Sequence, residues 1–418
     1  MGHLTPIYAQ LIKKELCFKD EANVLQTNNK NRMQKTLALL TAVFFFAVAL
    51  SDSASANAHL SDPVSVQNAD AAAISPKPFS RYNKPLTQYA LSQWNTRDGL
   101  PHNSVNSITQ SENGYLWLAT WEGPVRFDGR SFTVFDNVAE LQVPELGVVG
   151  IAHDASTDEI YISGLRGGVS RFNGERWQGL PLAPSFAFRV LVDAEQNVWV
   201  TASNAGLVRY DREGNMHRYQ QADGLPGNFT YHLYESPATD VRSREIWVGT
   251  GSGLARYDSN TDQFVAIPSV ASSQVRAVLQ HSNGMLLVAS DQGLFYQNKP
   301  GTDFLPWPRA IEGTITSLEE GPDGAIWFGT ISHGLGRITD SNLSTLSIEN
   351  GLPNIHVLDI FRDRENNMWV STHGGLLQLR DALFTSFTRT QGLVGNYVRA
   401  VMTDQQDRLW VGTNEGLG

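Results

Sequence analysis

The sequence predicts an all-β protein, a ring of four-stranded antiparallel blades. Three observations carry that prediction: a segment of about 42 residues recurs eight times, a large apolar residue (usually tryptophan) holds one position of it, and a glycine comes after each copy at nearly the same distance. The anchors are Trp117, Tyr161, Trp199, Trp247, Leu287, Trp327, Trp369 and Trp410, at steps of 44, 38, 48, 40, 40, 42 and 41 residues. The glycines are Gly123, Gly167, Gly206, Gly253, Gly293, Gly334, Gly375 and Gly416.

Each repeat reads as four strands. In the first, "VNSITQ" leads through the polar turn "SENG" into "YLWLAT", a short turn, "PVRFD", a turn at Gly129 and "SFTVFD". The first turns recur as "AEQN", "HSNG", "PDGA" and "RENN", rich in residues that tolerate positive φ. Such a unit cannot bury both faces alone, so neighbours must stack radially into a β-propeller. "GTISHGLG", after Trp327, imitates a phosphate loop. The segment after this loop is strand-like, whereas a phosphate loop needs a helix N-terminus, so the glycines are read as turn residues. The tryptophans are read as blade packing rather than as an exposed base-stacking platform.

Before the repeats, residues 1–32 read as an upstream extension, and the run from Met33 to Ala58 has the basic start, apolar segment Leu37 to Leu50 and small-residue sites of a secretory signal peptide. The apolar run is short of the roughly 20 residues that a membrane span requires. Residues 59–87 read as a flexible leader. Cys17, the only cysteine, precedes the signal, so the exported chain is expected to have neither disulfides nor thiol chemistry. The segment "QYALSQW" stands where other repeats place their fourth strand and is expected to pair with the seventh repeat, closing a seven-bladed ring over 88–380. Residues 381–418 then begin a further blade or second propeller, and the ending inside a repeat suggests a truncated product. An eight-bladed ring including Trp410 is the competing count.

The stretch "DGLPHNSVNSITQSENGYLWLATWEGPVRFDGRSFTVFD", with "DGLP" again at Asp223, "NGLP" at Asn350 and a degenerate "QGLV" at Gln391, resembles the two-component regulator propeller repeat over about residues 88–418. The resemblance implies the periplasmic sensor region of a bacterial signalling protein, anchored in the inner membrane in full-length relatives. There the propeller precedes a histidine kinase or GGDEF diguanylate cyclase output domain, and neither is found in this chain. Homodimerisation of the full-length protein stays open.

A propeller's ligand usually sits where loops converge. The turns after the Trp strands and the long "DGLP" connections fall on one face, because an even number of strands separates them. They carry Trp121, Arg166, Asn204, Asp291, His333 and His373 in the short turns. The long ones carry His102, Asn103, Asn228, Tyr231, Asn354, His356, Asn396 and Tyr397. Arg276 and Arg399, in two copies of "VRAV", either point into the channel or pair with a neighbouring blade. The expected partner is a small polar ligand, such as a carbohydrate.

Other chemistry has less support. The excess of 42 Asp plus Glu over 32 Lys plus Arg, without a basic block, argues against nucleic acid. No cofactor motif, His-Glu-x-x-His pair or Gly-x-Ser-x-Gly elbow is present; His333 and His373 are the best pair for a metal built from separate blades. A propeller lyase or glycosidase is the alternative reading, and a protein-binding scaffold the third.

Overall fold

A computed structural model describes residues 84–135, 147–165, 168–180, 186–203, 205–239, 243–340, 342–381, 387–389, 392–406 and 408–418. The upstream extension, the signal peptide and nearly all of the leader lie outside these residues, as do Arg166 and Asn204. Among the described residues no helix is long and apolar enough to cross a membrane.

Seven four-stranded antiparallel sheets succeed one another along the chain. Blade 1 comprises Val105–Gln110, Leu116–Thr120, Gly123–Phe127 and Phe132–Val134. Blades 2 to 6 run from inner to outer strand as Val148–Asp154 to Trp177–Leu180, Ala187–Val192 to Met216–Tyr219, Thr230–Ser236 to Gln263–Ala266, Val275–Gln280 to Leu305–Pro306, and Ile315–Glu320 to Leu343–Leu346. Blade 7 has Val357–Arg362, Met368–Thr372 and Gly375–Arg380, and its fourth strand is Ala90–Trp94 from the other end of the chain. That strand pairs antiparallel, Ala90 opposite Arg380 and Trp94 opposite Leu376. The ring thus closes with seven blades, and the eight-bladed alternative does not form. The next two strands, Val398–Thr403 and Leu409–Thr413, pair with each other as a separate hairpin.

Seven apolar clusters hold the blades together, each spanning one joint. The repeat residue of each blade packs into the next: Trp117 lies with Ile151 and Ile162 of blade 2, Trp199 with Leu233 and Val248 of blade 4, and Trp369 with Val105 and Leu118 of blade 1. Where tryptophan is replaced, Tyr161 and Leu287 fill the same place. Trp199 and Trp327 are fully buried, which removes them as stacking platforms. Truncating one such ring to alanine costs about 3–5 kcal/mol.

A buried indole N–H usually finds an acceptor. The carboxylates of Asp193, Asp363 and Asp404, each six positions before its tryptophan, accept from Trp199, Trp369 and Trp410 at 2.7, 2.7 and 2.9 Å. The repeat glycines among the described residues have positive φ, 123° at Gly123 and 138° at Gly375, where an added Cβ would lie 2.4 Å from the Trp94 carbonyl oxygen. The hydroxyls of Thr120 and Thr372 donate to the carbonyls of these glycines at 2.7 and 2.9 Å. The loop is a closed strand turn, as the sequence predicts, and not a phosphate cradle.

The "DGLP" connections have an equally local cause. Asp98 accepts from the Asn95 backbone while Asn95 accepts from Arg97, capping a short 3-10 turn that ends in Gly99 at φ 97°. Leu100 then enters the core. Gln220 and Asp223 repeat the cap before Gly224 and Leu225.

Candidate functional site at one mouth of the channel

The short turns and the long connections meet at one end of the ring. Ser203 donates to the Phe186 carbonyl, Gly251 to Phe229 and Ile331 to Thr314, at 2.8, 2.8 and 3.0 Å, each bond tying a short turn to the residues that lead into an inner strand. The face predicted from strand parity therefore exists.

Every inner strand breaks its register near its second residue. A bulge of this kind re-aims the side chain it carries. The residues so placed are Asn106, Val149, Phe188, Tyr231, Arg276, Thr316 and Leu358. Two of them bind the neighbouring blade: Asn106 donates to the Val148 carbonyl at 2.7 Å and Thr316 to that of Val357 at 2.8 Å. Phe188, Tyr231 and Phe229 form an aromatic group, with ring centroids 4.6 to 6.5 Å apart. Arg276 lies over the Tyr231 ring, 5.2 Å from its centroid, and donates to the Gln274 side chain at 3.0 Å. Asp291 accepts from the Gln274 backbone at 2.8 Å and acts electrostatically on both Arg276 and Tyr231.

A histidine group stands at the joint of blades 7 and 1. The rings of His356 and His373 meet edge to face at 4.5 Å, and His373 Nδ1 lies 2.8 Å from Ser104 Oγ. Burial, with the neighbouring His373 and Arg276, holds His356 down at about 4. Burial and His102 lower His373 as well, so both rings are neutral near pH 7. The influence of Arg276 on His356 connects the two groups across the mouth.

Of the residues that sequence reasoning proposed, Tyr231, Arg276 and Asp291 come together on blades 4 and 5, and His102, His356 and His373 at the 7–1 joint. Asn103 and Asn228 serve the backbone instead, accepting from Thr96 and Gln221 at 2.9 Å each. Asn354 and Asn396 do the same for His356 and Arg389 at 2.9 and 2.8 Å. His102 Nδ1 accepts from the Ser104 backbone at 2.9 Å. Trp121 packs its ring beside Gly147. His333 turns to Ser332 and Glu312, at 2.9 and 3.7 Å, so the histidine contact is His356 with His373 rather than His333 with His373. Among the described residues no group of three His, Cys, Asp or Glu side chains could hold a metal ion. Arg399, by contrast with Arg276, lies in the separate hairpin over Tyr397.

Sequence reasoning missed the level below the mouth. There Arg189 of blade 3 reaches the carboxylate of Asp359 on blade 7 at 3.2 Å and donates to Ser107 of blade 1 at 2.9 Å. Ser107 and the Ile108 backbone also donate to Asp359, at 2.9 and 3.2 Å. Gly150, at this level in blade 2, adds no side chain, and a Cβ there would stand 2.6 Å from the Phe188 carbonyl oxygen. The ion pair joins blades 3 and 7 across the ring. His232, beside it, has both ring nitrogens buried, and burial together with Arg189 depresses it to about 3 against the opposing Val278 backbone contact.

At the other end, a cavity of about 420 Å³ is lined by Thr109, Gln110, His153, Arg362, Asp363 and Arg364. There Arg364 pairs with Glu112 at 2.7 Å, His153 Nε2 lies 2.7 Å from Asp158, and Arg362 donates to the Gly321 carbonyl at 3.5 Å. The mouth, where aromatic rings, Arg276 and two histidines meet on the loop face, is the better candidate site.

These features define a closed seven-bladed propeller with a polar and aromatic mouth. The two component regulator propeller family matches residues 99–122, 351–374 and 392–415, so the chain carries repeats of that family. Among solved structures it is similar to the extracellular domain of a putative hybrid two component system from B. thetaiotaomicron, at 21% identity and a TM-score of 0.67, over 79% of this chain and 49% of the other. It is also similar to that of a putative one component system from the same organism, at 20% and 0.61, over 79% and 46%. A streptogramin B lyase matches at 16% and 0.56, over 71% of this chain and 99% of the other. Identities this low show the shared fold alone, and the chain spans about half the length of the first two. Among curated proteins no sequence matches.

Proposed function

We propose that this chain is the sensor propeller of a bacterial signalling protein, working outside the inner membrane, and that it binds a small polar ligand such as a sugar at the channel mouth. The carrying observation is the convergence on one mouth of Arg276, Tyr231, Asp291, His356 and His373, above the Arg189–Asp359 pair. The family repeats and the extracellular two component neighbours support the sensor reading. A signal would then pass to a histidine kinase or diguanylate cyclase module only if the ligand favours one of two arrangements of propeller and partner.

The test is a thermal-shift panel of sugars, oligosaccharides, amino acids and divalent metals. A compound that binds only the folded state at 100 times its Kd stabilises it by about 2.7 kcal/mol. The expected result is a specific shift without turnover, lost in Tyr231→Ala and His356→Ala. Turnover of the binding compound would favour the enzyme reading, and a shift unaffected by both substitutions would remove the mouth as the site.

A further inference from the structure

We infer that Arg276 anchors a carboxylate, so that the ligand of the mouth is a monoanionic carboxylate-bearing small molecule rather than a neutral one. This rests on the mouth being the binding site and adds the ligand's chemical class.

Arg189 and Arg276, two of the three arginines in inner strands, are satisfied in different ways. Arg189 has Asp359 and Ser107 within hydrogen-bond reach. Arg276 has one side-chain acceptor, the neutral Gln274 amide, and the face of Tyr231; its Nε is buried with no partner. A cation withdrawn from water with no ion pair among the described residues, and with Asp291 acting on it only from a greater distance, is under-compensated, and burial lowers the Arg276 pKa. A planar guanidinium with free donors matches a carboxylate in two-point geometry.

The surroundings limit the charge of the ligand. Asp291 lies close enough to act on Arg276, and the two histidines are neutral near pH 7, so one positive charge partly offset by a carboxylate faces the ligand. That balance fits a single negative charge better than a phosphate, which carries closer to two. Neutral His356 supplies a donor or acceptor for a hydroxyl near the carboxylate. Phe188 and Tyr231 offer carbon surface for its skeleton.

Calorimetry on the full chain tests the assignment with glucuronate, glucose, glucuronate methyl ester, glucose 6-phosphate and lactate. Glucuronate or lactate is expected to bind, with the matched neutral or phosphorylated sugar weaker by about tenfold or more. Arg276→Gln should reduce carboxylate affinity by a similar factor and Arg276→Lys by less, because the ammonium keeps the charge but not the fork. If a variant does not fold, the ester comparison on the unaltered chain still decides, since esterification removes only the charge. Binding of lactate but not glucuronate would assign the carboxylate to a simple acid rather than a sugar acid. Equal binding of glucose and glucuronate, undisturbed by Arg276→Gln, overturns the carboxylate while leaving a sugar sensor intact. Failure of every carboxylate probe overturns it too, and the wider panel then judges the sensor reading separately.

Discussion

Arg189 and Arg276 occupy neighbouring levels of the same channel and are treated in opposite ways. At the inner level the guanidinium meets a carboxylate that the Ser107 and Ser317 hydroxyls and the Ile108 backbone amide also serve, while the Ile360 amide donates to Ser317 Oγ. At the mouth the guanidinium meets an amide and an aromatic face. The difference teaches how to tell a structural charge from a waiting one, because a fold that relies on a buried charge also pairs it.

The sharpest way to break that comparison is a pair of substitutions. Asp359→Ala leaves Arg189 uncompensated and should lower unfolding stability by about 2–4 kcal/mol in urea titration, somewhat below the range for a fully buried pair. Arg276→Gln should leave stability unchanged or slightly higher. If Arg276→Gln destabilises as much as Asp359→Ala, the mouth arginine is structural and the contrast fails.

A smaller effect comes from removing both inner charges. Arg189→Met with Asp359→Leu should recover most of the stability lost by Asp359→Ala, since the desolvation cost disappears with the attraction. A double variant no more stable than the single one would show that the inner level needs the charges for its geometry.

A third effect is a pH dependence. His232, depressed to about 3 in the fold against an ordinary value of 6.5, favours the folded state fully above pH 6.5, and that contribution is lost as pH falls towards 3. His232→Leu should therefore lose less stability between pH 7 and 4.5 than the unaltered chain, as measured by chemical unfolding at the two pH values. His356, held at about 4, loses stability in the same direction. Only the His356 contribution should change when a ligand occupies the mouth.

The blades were legible because their causes are local. A Trp at a fixed strand position, an αL glycine after it and a capped "DGLP" turn are each set within a few residues, and the seam strand at Ala90–Trp94 came from counting strands. Much of the mouth was legible too, since His356, His373 and Tyr231 lie in or beside loops whose face is fixed by strand parity. Asn103 and Asn228 resembled ligand contacts because a loop asparagine that caps backbone has the same sequence appearance as one that binds. The aspartates six positions before Trp199 and Trp369 were a periodic signal that pattern reading passed over. The Arg189–Asp359 pair had no such signal: its partners come from blades 3 and 7, and only ring closure brings them together.

That closure has a kinetic consequence. Blades 1 to 6 are each made of consecutive residues, whereas the seam joins residue 90 to residue 380. Pairing over so long a separation adds little to the equilibrium cost but much to the search time. Refolding should therefore assemble the consecutive blades first and zip the seam last. Until then Gly375–Arg380 stands as a bare edge, matched in register to a strand that every other copy also carries. In concentrated solution two half-folded molecules would seal each other, each lending its first strand to the other's last blade.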